Sequence, residues 1–137
     1  GFFIEEKDIK NKLYDLIKHH KISETEFLER NIMDVSQRIK ATVDSNRVML
    51  FMKGSRDFPQ CGFSGRAIQI LQALGTQFET ADVLMDDEIR QGIKQYSNWP
   101  TVPQLYIDGE FVGGSDIMME MYENGELAKQ LLEAPTA

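Results

Sequence analysis

The chain has 137 residues, 42% of them hydrophobic, and a formal net charge of -7 at pH 7, which suits one ordinary domain with an added segment. The acidic balance argues against nucleic-acid binding as the main activity, because phosphate contacts need clustered cations. No apolar run approaches the roughly 20 residues that cross a bilayer, so no membrane partner is expected. The single cysteine excludes an intrachain disulfide and fits a reducing compartment.

The segment before residue 34 is predicted to be a helical extension. Apolar side chains recur at helical spacing over residues 5–20, among charged neighbours. His19 and His20 end this stripe, where a cationic ring suits the helix C-terminus. A metal site is the weaker interpretation, since adjacent residues point apart and no other histidine exists. We favour a solvated helical pair that packs on the main domain or is partly disordered; the alternative is an arm that docks a partner or forms a dimer.

Two helix starts follow along the chain. Ser23 opens an S-x-x-E capping box, which predicts a helix that ends near Asn31. Asp34 is then a candidate N-cap for a separate helix that leads into the main domain. The predicted organisation is a helical N-terminal extension over residues 1–33 and one domain over residues 34–137.

The next part of the chain predicts alternating strands and helices. The continuous apolar run over residues 48–52 is typical of a strand buried on both faces. A helix is predicted from Cys61 until Gly75 stops it. A second strand over 78–84 and a helix over 86–96 follow. A strand, a helix and a strand in this order indicate a parallel pair with a right-handed crossover.

The end of the chain predicts a hairpin and two helices. Two short strands over residues 102–112 are joined by Asp108 and Gly109, the signal of a type I′ turn. Ser115 or Asp116 is predicted to cap the next helix, and a last short helix follows it. The fold class is therefore α/β, with a central mixed sheet and helices on both faces.

Cys61 lies where a reactive thiol is expected, between the end of a strand and the start of a helix. Unpaired N–H groups and the positive end of the helix dipole both favour a thiolate there. The alternative is a buried structural cysteine, which is a common role for a free thiol. Ser64 stands where a C-x-x-C motif has its second cysteine. Any thiol chemistry of Cys61 therefore needs a second thiol from outside the chain.

Several motifs together resemble the monothiol glutaredoxins of the CGFS class, over about residues 35–134. They are Met52-Lys53-Gly54, Cys61-Gly62-Phe63-Ser64, Trp99-Pro100-Thr101-Val102-Pro103-Gln104 and Gly113-Gly114-Ser115-Asp116. The resemblance implies a thioredoxin/glutaredoxin fold with a central four-stranded mixed sheet flanked by helices. It also implies that the outside thiol is glutathione or a related low-molecular-weight thiol.

Glutathione carries carboxylates, an amine and peptide groups. The chain has cations that could bind the carboxylates. Lys53 leaves the first strand close to the thiol, while Arg90 and Lys94 share one helical face. Each of them could hold a carboxylate. For Arg90 and Lys94 alone, pairing with the acidic residues at 86–87 is the simpler interpretation.

Pro103 and the helix start that follows it complete the expected site. The resemblance implies a cis bond between Val102 and Pro103, which would present the backbone of Val102 to an extended peptide. The alternative is a trans proline at the start of an edge strand. Gly114 permits close backbone approach, and a helix N-terminus binds carboxylates. Asp116 could accept from an amine, although capping alone would also explain Ser115 and Asp116.

The resemblance thus implies a glutathione site around the thiol of Cys61, with Phe63 as one wall. The residues expected to bind are Lys53, Gly62, Phe63, Arg90, Lys94, Val102, Pro103, Gly114, Ser115 and Asp116.

Two functions are open to a lone thiolate of this kind. Cys61 could remove glutathione from protein mixed disulfides, with a second glutathione completing the exchange. Cys61 could instead be a ligand of a [2Fe–2S] cluster, which usually needs four thiolates. Two chains and two glutathiones would supply them, which predicts a homodimer with the cluster and a monomer without it. A third possibility is an interaction module without redox chemistry.

The resemblance implies mainly the cluster carrier, with at most weak oxidoreductase activity, and with cluster donor and recipient proteins as partners. The chain starts at Gly1 and not at Met, which suggests a processed or truncated N-terminus. The mitochondrial matrix is therefore the expected compartment, with the plastid stroma and the cytosol as alternatives.

Overall fold

The computed structural model describes residues 23–133. The chain divides into two units between Val35 and Ser36, and the second unit holds all the strands of the described part. The helix predicted over residues 5–20, with its histidine pair, lies outside the described residues. The boundary predicted between residues 33 and 34 stays a prediction.

The described chain opens with a single helix, α1 (Glu24–Ser45). The hydroxyl of Ser23 accepts a hydrogen bond from the Glu26 N–H at 3.1 Å, so this half of the predicted capping box is present. The predicted break between Asn31 and Asp34 is wrong, because α1 runs through it. No glycine or proline lies in α1, and residues such as Asn and Asp cost a helix less than about 1 kcal/mol each. A capping signal alone therefore does not end this helix.

The remaining elements form a sheet with helices around it. They are β1 (Val48–Met52), α2 (Gly62–Ala73), β2 (Glu79–Asp82), α3 (Asp87–Ser97), β3 (Gln104–Ile107), β4 (Glu110–Gly113), α4 (Ser115–Glu123) and α5 (Glu126–Leu132). The strand order is β2-β1-β3-β4, with β1 parallel to β2 and the other pairs antiparallel. The predicted four-stranded mixed sheet is confirmed. Among residues 23–133, no helix is long and apolar enough to cross a membrane.

Strand β2 ends earlier than predicted. The expected strand covers residues 78–84, but the pairing stops at Asp82 and a 3-10 turn, Val83–Met85, follows. One carboxylate oxygen of Asp82 accepts from the N–H groups of Leu84 and Gly54, both at 2.9 Å. This side chain turns the chain out of the sheet and also ties it to the loop after β1.

Strands β3 and β4 form the predicted hairpin. Asp108 and Gly109 have φ angles of 51° and 82°, and two positive φ angles define the type I′ turn. The hairpin starts later than predicted, because Val102 and Pro103 lie before β3 and not within it. Both residues are therefore part of the loop that leads into β3.

Strand β1 is buried on both faces, as predicted, with none of its residues more than 3% exposed. On one face its side chains join α2, α4 and α5 in a core cluster that includes Val48, Leu50, Met52, Leu105 and Ile107. On the other face, the rings of Phe51 and Tyr106 meet edge to face, with centroids 5.6 Å apart. Tyr96 of α3 contacts the same Tyr106 ring at 6.0 Å, so α3 covers this second face.

An ion pair joins α1 to the start of α3. The Arg38 guanidinium lies 2.6 Å from the Asp86 carboxylate and 3.2 Å from that of Glu88. Asp86 is also the N-cap of α3 and accepts from the Ile89 N–H at 3.2 Å. Burial alone would raise the pKa of Asp86, but the hydrogen bonds from Arg38 and from the helix start outweigh it and the pKa is lowered.

Replacing Asp86 by Asn should reduce the loss of stability in acid. A carboxylate with a lowered folded pKa stabilises the protein above its unfolded pKa of about 4, and this stabilisation disappears as the pH falls through the folded pKa. Asn keeps the capping acceptor but cannot ionise. Urea unfolding should show Asp86→Asn to be less stable near neutral pH, by at most about 1 kcal/mol for so exposed a pair, with the difference shrinking in acid.

The control is Asp87→Asn, because the Asp87 carboxylate forms no ion pair within residues 23–133. The difference in free energy of unfolding between Asp87→Asn and the wild type should change less with pH than that of Asp86→Asn. A constant difference between wild type and Asp86→Asn over the acid range would contradict the role given to Asp86.

Candidate functional site

Five segments meet around one pocket of about 470 Å³, a volume within the usual range for small-molecule sites. It is lined by Lys53, Cys61, Phe63, Arg90, Lys94, Trp99, Pro100, Thr101, Val102, Pro103, Gly114, Ser115, Asp116 and Ile117. Of the expected site residues, only Gly62 is missing from this lining. Gly62 lies instead in an adjacent, shallower depression that also includes Cys61 and Arg66.

Cys61 is the N-cap residue of α2 and is partly buried, and its thiol forms no capping hydrogen bond. The backbone N–H of Ser64 nevertheless lowers the pKa of the thiol, and the Phe63 N–H, the Lys53 charge and the Ser64 hydroxyl act in the same direction. Burial opposes them but does not prevail. The helix start thus favours a thiolate, as the sequence predicted.

Ser64 has a structural role that the sequence did not indicate. Its side chain is fully buried, and its hydroxyl accepts a hydrogen bond from the Lys53 N–H at 3.1 Å. The carbonyl of Lys53 accepts from the Gln60 N–H at 2.9 Å. The backbone of Lys53 is therefore held on both sides, and the residue in place of a second thiol joins β1 to α2.

Gly54 is required by the loop between Lys53 and Cys61. Its φ of 91° disfavours any other residue, and a Cβ here would lie 2.5 Å from both the Gln60 nitrogen and the Phe58 oxygen. This close approach folds the loop back so that the thiol returns to the end of β1. It explains why a glycine follows the lysine in the first motif.

Arg90 and Lys94 both line the pocket. The simpler interpretation, pairing with the acidic residues at 86–87, is wrong, since Asp86 is bound by Arg38 of α1. Within residues 23–133 neither Arg90 nor Lys94 forms an ion pair. Their charges remain available to an anion in the pocket.

The loop before β3 forms one wall of the pocket. The peptide bond between Val102 and Pro103 is cis, as the resemblance implied and in contrast to the alternative of a trans proline. Trp99 and Thr101 line the pocket with them, although the sequence assigned them no function. Gln104, the last residue of the same motif, is fully buried behind this wall.

The start of α4 corrects one prediction. Gly114 is the N-cap, and no side chain caps the helix, so Ser115 and Asp116 do not serve as caps. A Cβ at position 114 would lie 3.3 Å from the Pro103 oxygen and from the Trp99 indole nitrogen, so this close approach favours glycine. The Ser115 hydroxyl is buried without a hydrogen-bond partner among the described residues. Asp116 is exposed, and its carboxylate lies 3.8 Å from the Arg66 guanidinium.

A thiol with a lowered pKa at a helix start, beside a cis-proline loop and cations that form no ion pair within residues 23–133, defines a thiol site in a glutaredoxin-type fold. Residues 48–112 match the Glutaredoxin family. The chain is 62% identical over 98 residues to an uncharacterized monothiol glutaredoxin, ycf64-like, of Synechocystis sp., with 72% of this chain and 92% of that one covered. The chain belongs to the monothiol glutaredoxin family.

Two further proteins show how far the similarity extends. The chloroplastic monothiol glutaredoxin-S7 of Oryza sativa is 54% identical over 104 residues, with 73% of this chain and 62% of that protein covered. The crystal structure of a buckwheat glutaredoxin–glutathione complex superimposes with a TM-score of 0.68 at 27% identity, covering 75% of this chain and 92% of that one. The family match over residues 48–112 begins after α1 and covers β1 to β3 and most of β4.

The thiol of Cys61 should react as a thiolate at lower pH than an ordinary cysteine, whose pKa is about 8.5. The rate of iodoacetamide alkylation, measured against pH, should give a midpoint below that value. Lys53→Met should move the midpoint upward, because it removes a positive charge that stabilises the thiolate.

Arg66→Met is the matched control, since Arg66 lies in the depression beside Cys61 but does not shift its pKa. It should leave the midpoint close to the wild-type value. Equal shifts in the two variants would show that net charge, and not the placement of Lys53, sets the reactivity.

Proposed function

We propose that this protein carries a [2Fe–2S] cluster and delivers it to recipient proteins. Two Cys61 thiolates and two glutathione thiolates would hold the cluster between two copies of the chain. The observation that carries this proposal is that the chain has a single cysteine, whose thiol has a lowered pKa, with the buried hydroxyl of Ser64 in place of a second thiol. A cluster needs about four thiolates, so the missing ligands must come from outside.

The donor set of the chain agrees with this requirement. Within residues 23–133, no group of three or more His, Cys, Asp or Glu side chains could hold a metal ion. A site in which Cys61 is the protein's only ligand fits a cargo that is bound at the surface and passed on. When the cluster is absent, the same arrangement predicts a monomer.

The pocket offers complementary groups for each part of glutathione. Lys53, Arg90 and Lys94 would bind the carboxylate at one end, in keeping with their lack of other ion-pair partners among the described residues. The backbone of Val102 would pair with the peptide in the middle. The buckwheat complex, a glutaredoxin with bound glutathione, supports glutathione as the ligand.

The start of α4 would bind the other end of glutathione. Its first N–H groups have no side-chain cap, and such groups bind carboxylates. The buried Ser115 hydroxyl, which lacks a partner among the described residues, could donate to the same carboxylate. Asp116, exposed at the rim, would accept from the amine. A related low-molecular-weight thiol with the same end groups would fit equally.

A second candidate function is glutathione-dependent thiol–disulfide exchange, which the lowered pKa of Cys61 favours. The Cys61 thiolate would attack the glutathione sulfur of a protein mixed disulfide and release the protein as a thiolate. A second glutathione thiolate would then attack the Cys61–glutathione disulfide. The products are glutathione disulfide and a regenerated Cys61 thiolate, so electrons balance with glutathione as the reductant.

The chemistry of Cys61 requires a reducing compartment. Cys61 must stay reduced to bind glutathione or a cluster, which suits an organelle with a reducing interior or the cytosol. The mitochondrial matrix, expected from the sequence, is one such place. The relative from rice is named chloroplastic, which supports the plastid stroma as the alternative.

Anaerobic reconstitution with iron, sulfide and glutathione tests the carrier function. The protein should turn brown and sediment as a dimer, while the protein without a cluster should sediment as a monomer. Cys61→Ser should abolish both the colour and the dimer, because it removes two of the four thiolates.

A colourless monomer that rapidly reduces glutathione mixed disulfides would instead establish the exchange reaction. If the protein neither binds a cluster nor reduces such disulfides, the result contradicts both functions and favours the interaction module. Release of the cluster to an apo-ferredoxin, followed by circular dichroism, would distinguish a carrier from a protein that stores the cluster.

Lys53→Ala should weaken glutathione binding and shorten the lifetime of the cluster together. The lost ion pair is partly exposed, so the affinity should fall by about threefold to tenfold. Calorimetry would give the affinity, and the decay of visible absorbance would give the lifetime.

Lys129→Ala is the matched control for this loss of charge, because Lys129 lies in α5 and does not line the pocket. It should change neither quantity. A wild-type cluster lifetime in Lys53→Ala would remove Lys53 from the site.

A further inference from the structure

The side chain of Gln104 forms hydrogen bonds to the loop before β3, which is one wall of the pocket, from the side away from the pocket. This side chain is fully buried, and its amide nitrogen donates to the carbonyls of Trp99 and Thr101, at 3.2 and 3.1 Å. The segment from Trp99 to Pro103 lines the pocket throughout, whereas Gln104 itself does not. A single side chain outside the pocket thus makes two bonds to the segment that shapes it.

The other end of the Gln104 amide is held by Tyr106, two residues along β3 and on the same face. The Tyr106 hydroxyl donates to the Gln104 amide oxygen at 3.1 Å. The amide nitrogen faces the two carbonyls, because these can only accept, and the amide oxygen is then the atom that accepts from Tyr106. Burial raises the pKa of Tyr106, so the phenol stays protonated and remains a donor around neutral pH.

The tyrosine is in turn held by its neighbours. Its ring packs against Phe51 of β1 and Phe111 of β4, with centroid distances of 5.6 and 5.5 Å. The ring of Phe111 also contacts Trp99 at 5.9 Å. The wall is consequently attached to the rigid centre of the sheet through Gln104 and Tyr106.

We propose that Gln104 is a positioning residue, which sets the shape of the segment Trp99–Pro103 and through it the affinity for glutathione. The expected effect on the affinity for glutathione rests on the proposed function, which places glutathione in this pocket. A residue that only filled space would need no amide, and an apolar side chain of similar size would leave two buried carbonyls without donors. The amide is therefore the part of Gln104 that the wall requires.

The first test observes the wall without any ligand. Trp99 is the only tryptophan of the chain, so its fluorescence and its quenching by acrylamide report on this segment directly. Gln104→Met should increase the quenching of Trp99, because the segment loses both hydrogen bonds. Tyr106→Phe, which removes one oxygen atom, should change the quenching in the same direction but less.

Ile107→Val is the matched control, because Ile107 lies in the same strand, is equally buried, and belongs to the core on the opposite face. It should lower the melting temperature without altering Trp99 quenching. If Gln104→Met and Tyr106→Phe both behave like Ile107→Val, the positioning role is overturned.

The second test measures glutathione binding to the folded variants by calorimetry. Gln104→Met should weaken binding by about tenfold, the effect of losing two ordinary hydrogen bonds. Gln104→Glu should bind poorly near neutral pH, where a carboxylate would face two carbonyls. It should recover relative to the wild type as the pH falls and the acid, once protonated, donates to one of them.

The pH-dependent recovery separates positioning from a general loss of stability, which acid would make worse. Wild-type affinity in Gln104→Met, despite increased Trp99 quenching, would overturn the link from wall to ligand. If the wild type itself binds no glutathione, the proposed function fails, and the quenching results alone still decide whether Gln104 positions the wall.

Discussion

The site depends on the hydrogen bond between the Ser64 hydroxyl and the Lys53 N–H. This bond joins the end of β1 to the first turn of α2, and Cys61 lies on the loop between them. Because Ser64 is fully buried, the bond is shielded from water and from competition. The same residue that removes the second thiol therefore also fixes the position of the first thiol and of its nearest cation.

The ion pairs of this acidic chain lie where they leave the cations of the pocket without a competing carboxylate among the described residues. The carboxylate of Asp86 is occupied by Arg38 and by the start of α3, which leaves Arg90 and Lys94 facing the pocket. An anionic ligand can then be attracted locally although the net charge is -7. The thiolate benefits from the same arrangement, since Lys53 lowers the pKa of Cys61.

Two parts of the pocket differ in how their polar groups are bonded. The start of α4 has no side-chain cap, and the Ser115 hydroxyl has no partner within the described residues. Gly114 allows this helix start to approach Pro103 closely. In the adjacent wall, Gln104 donates to the carbonyls of Trp99 and Thr101 from the side away from the pocket, so that the surface facing the pocket keeps its shape.

Much of the fold and most of the site residues were predictable from the sequence, because they depend on local patterns. The apolar run of β1, the turn at Asp108 and Gly109, and the helix start after Cys61 follow from hydrophobicity and backbone preference over a few residues. The resemblance of the motifs brought together ten of the pocket residues. Gly62, the remaining expected residue, lies in the adjacent depression.

Predictions failed both for local reasons and for reasons that lie far away along the chain. A local capping signal suggested a break near Asp34, but an uninterrupted run of helix-compatible residues continues α1 through it. Asp86 seemed free to pair within its own helix, whereas Arg38, 48 residues earlier, binds it. The sequence alone thus determined which residues form the elements and carry the thiol. Only the tertiary structure decided which buried hydroxyls and amides hold them in place, because those hydrogen bonds link segments that no local pattern relates.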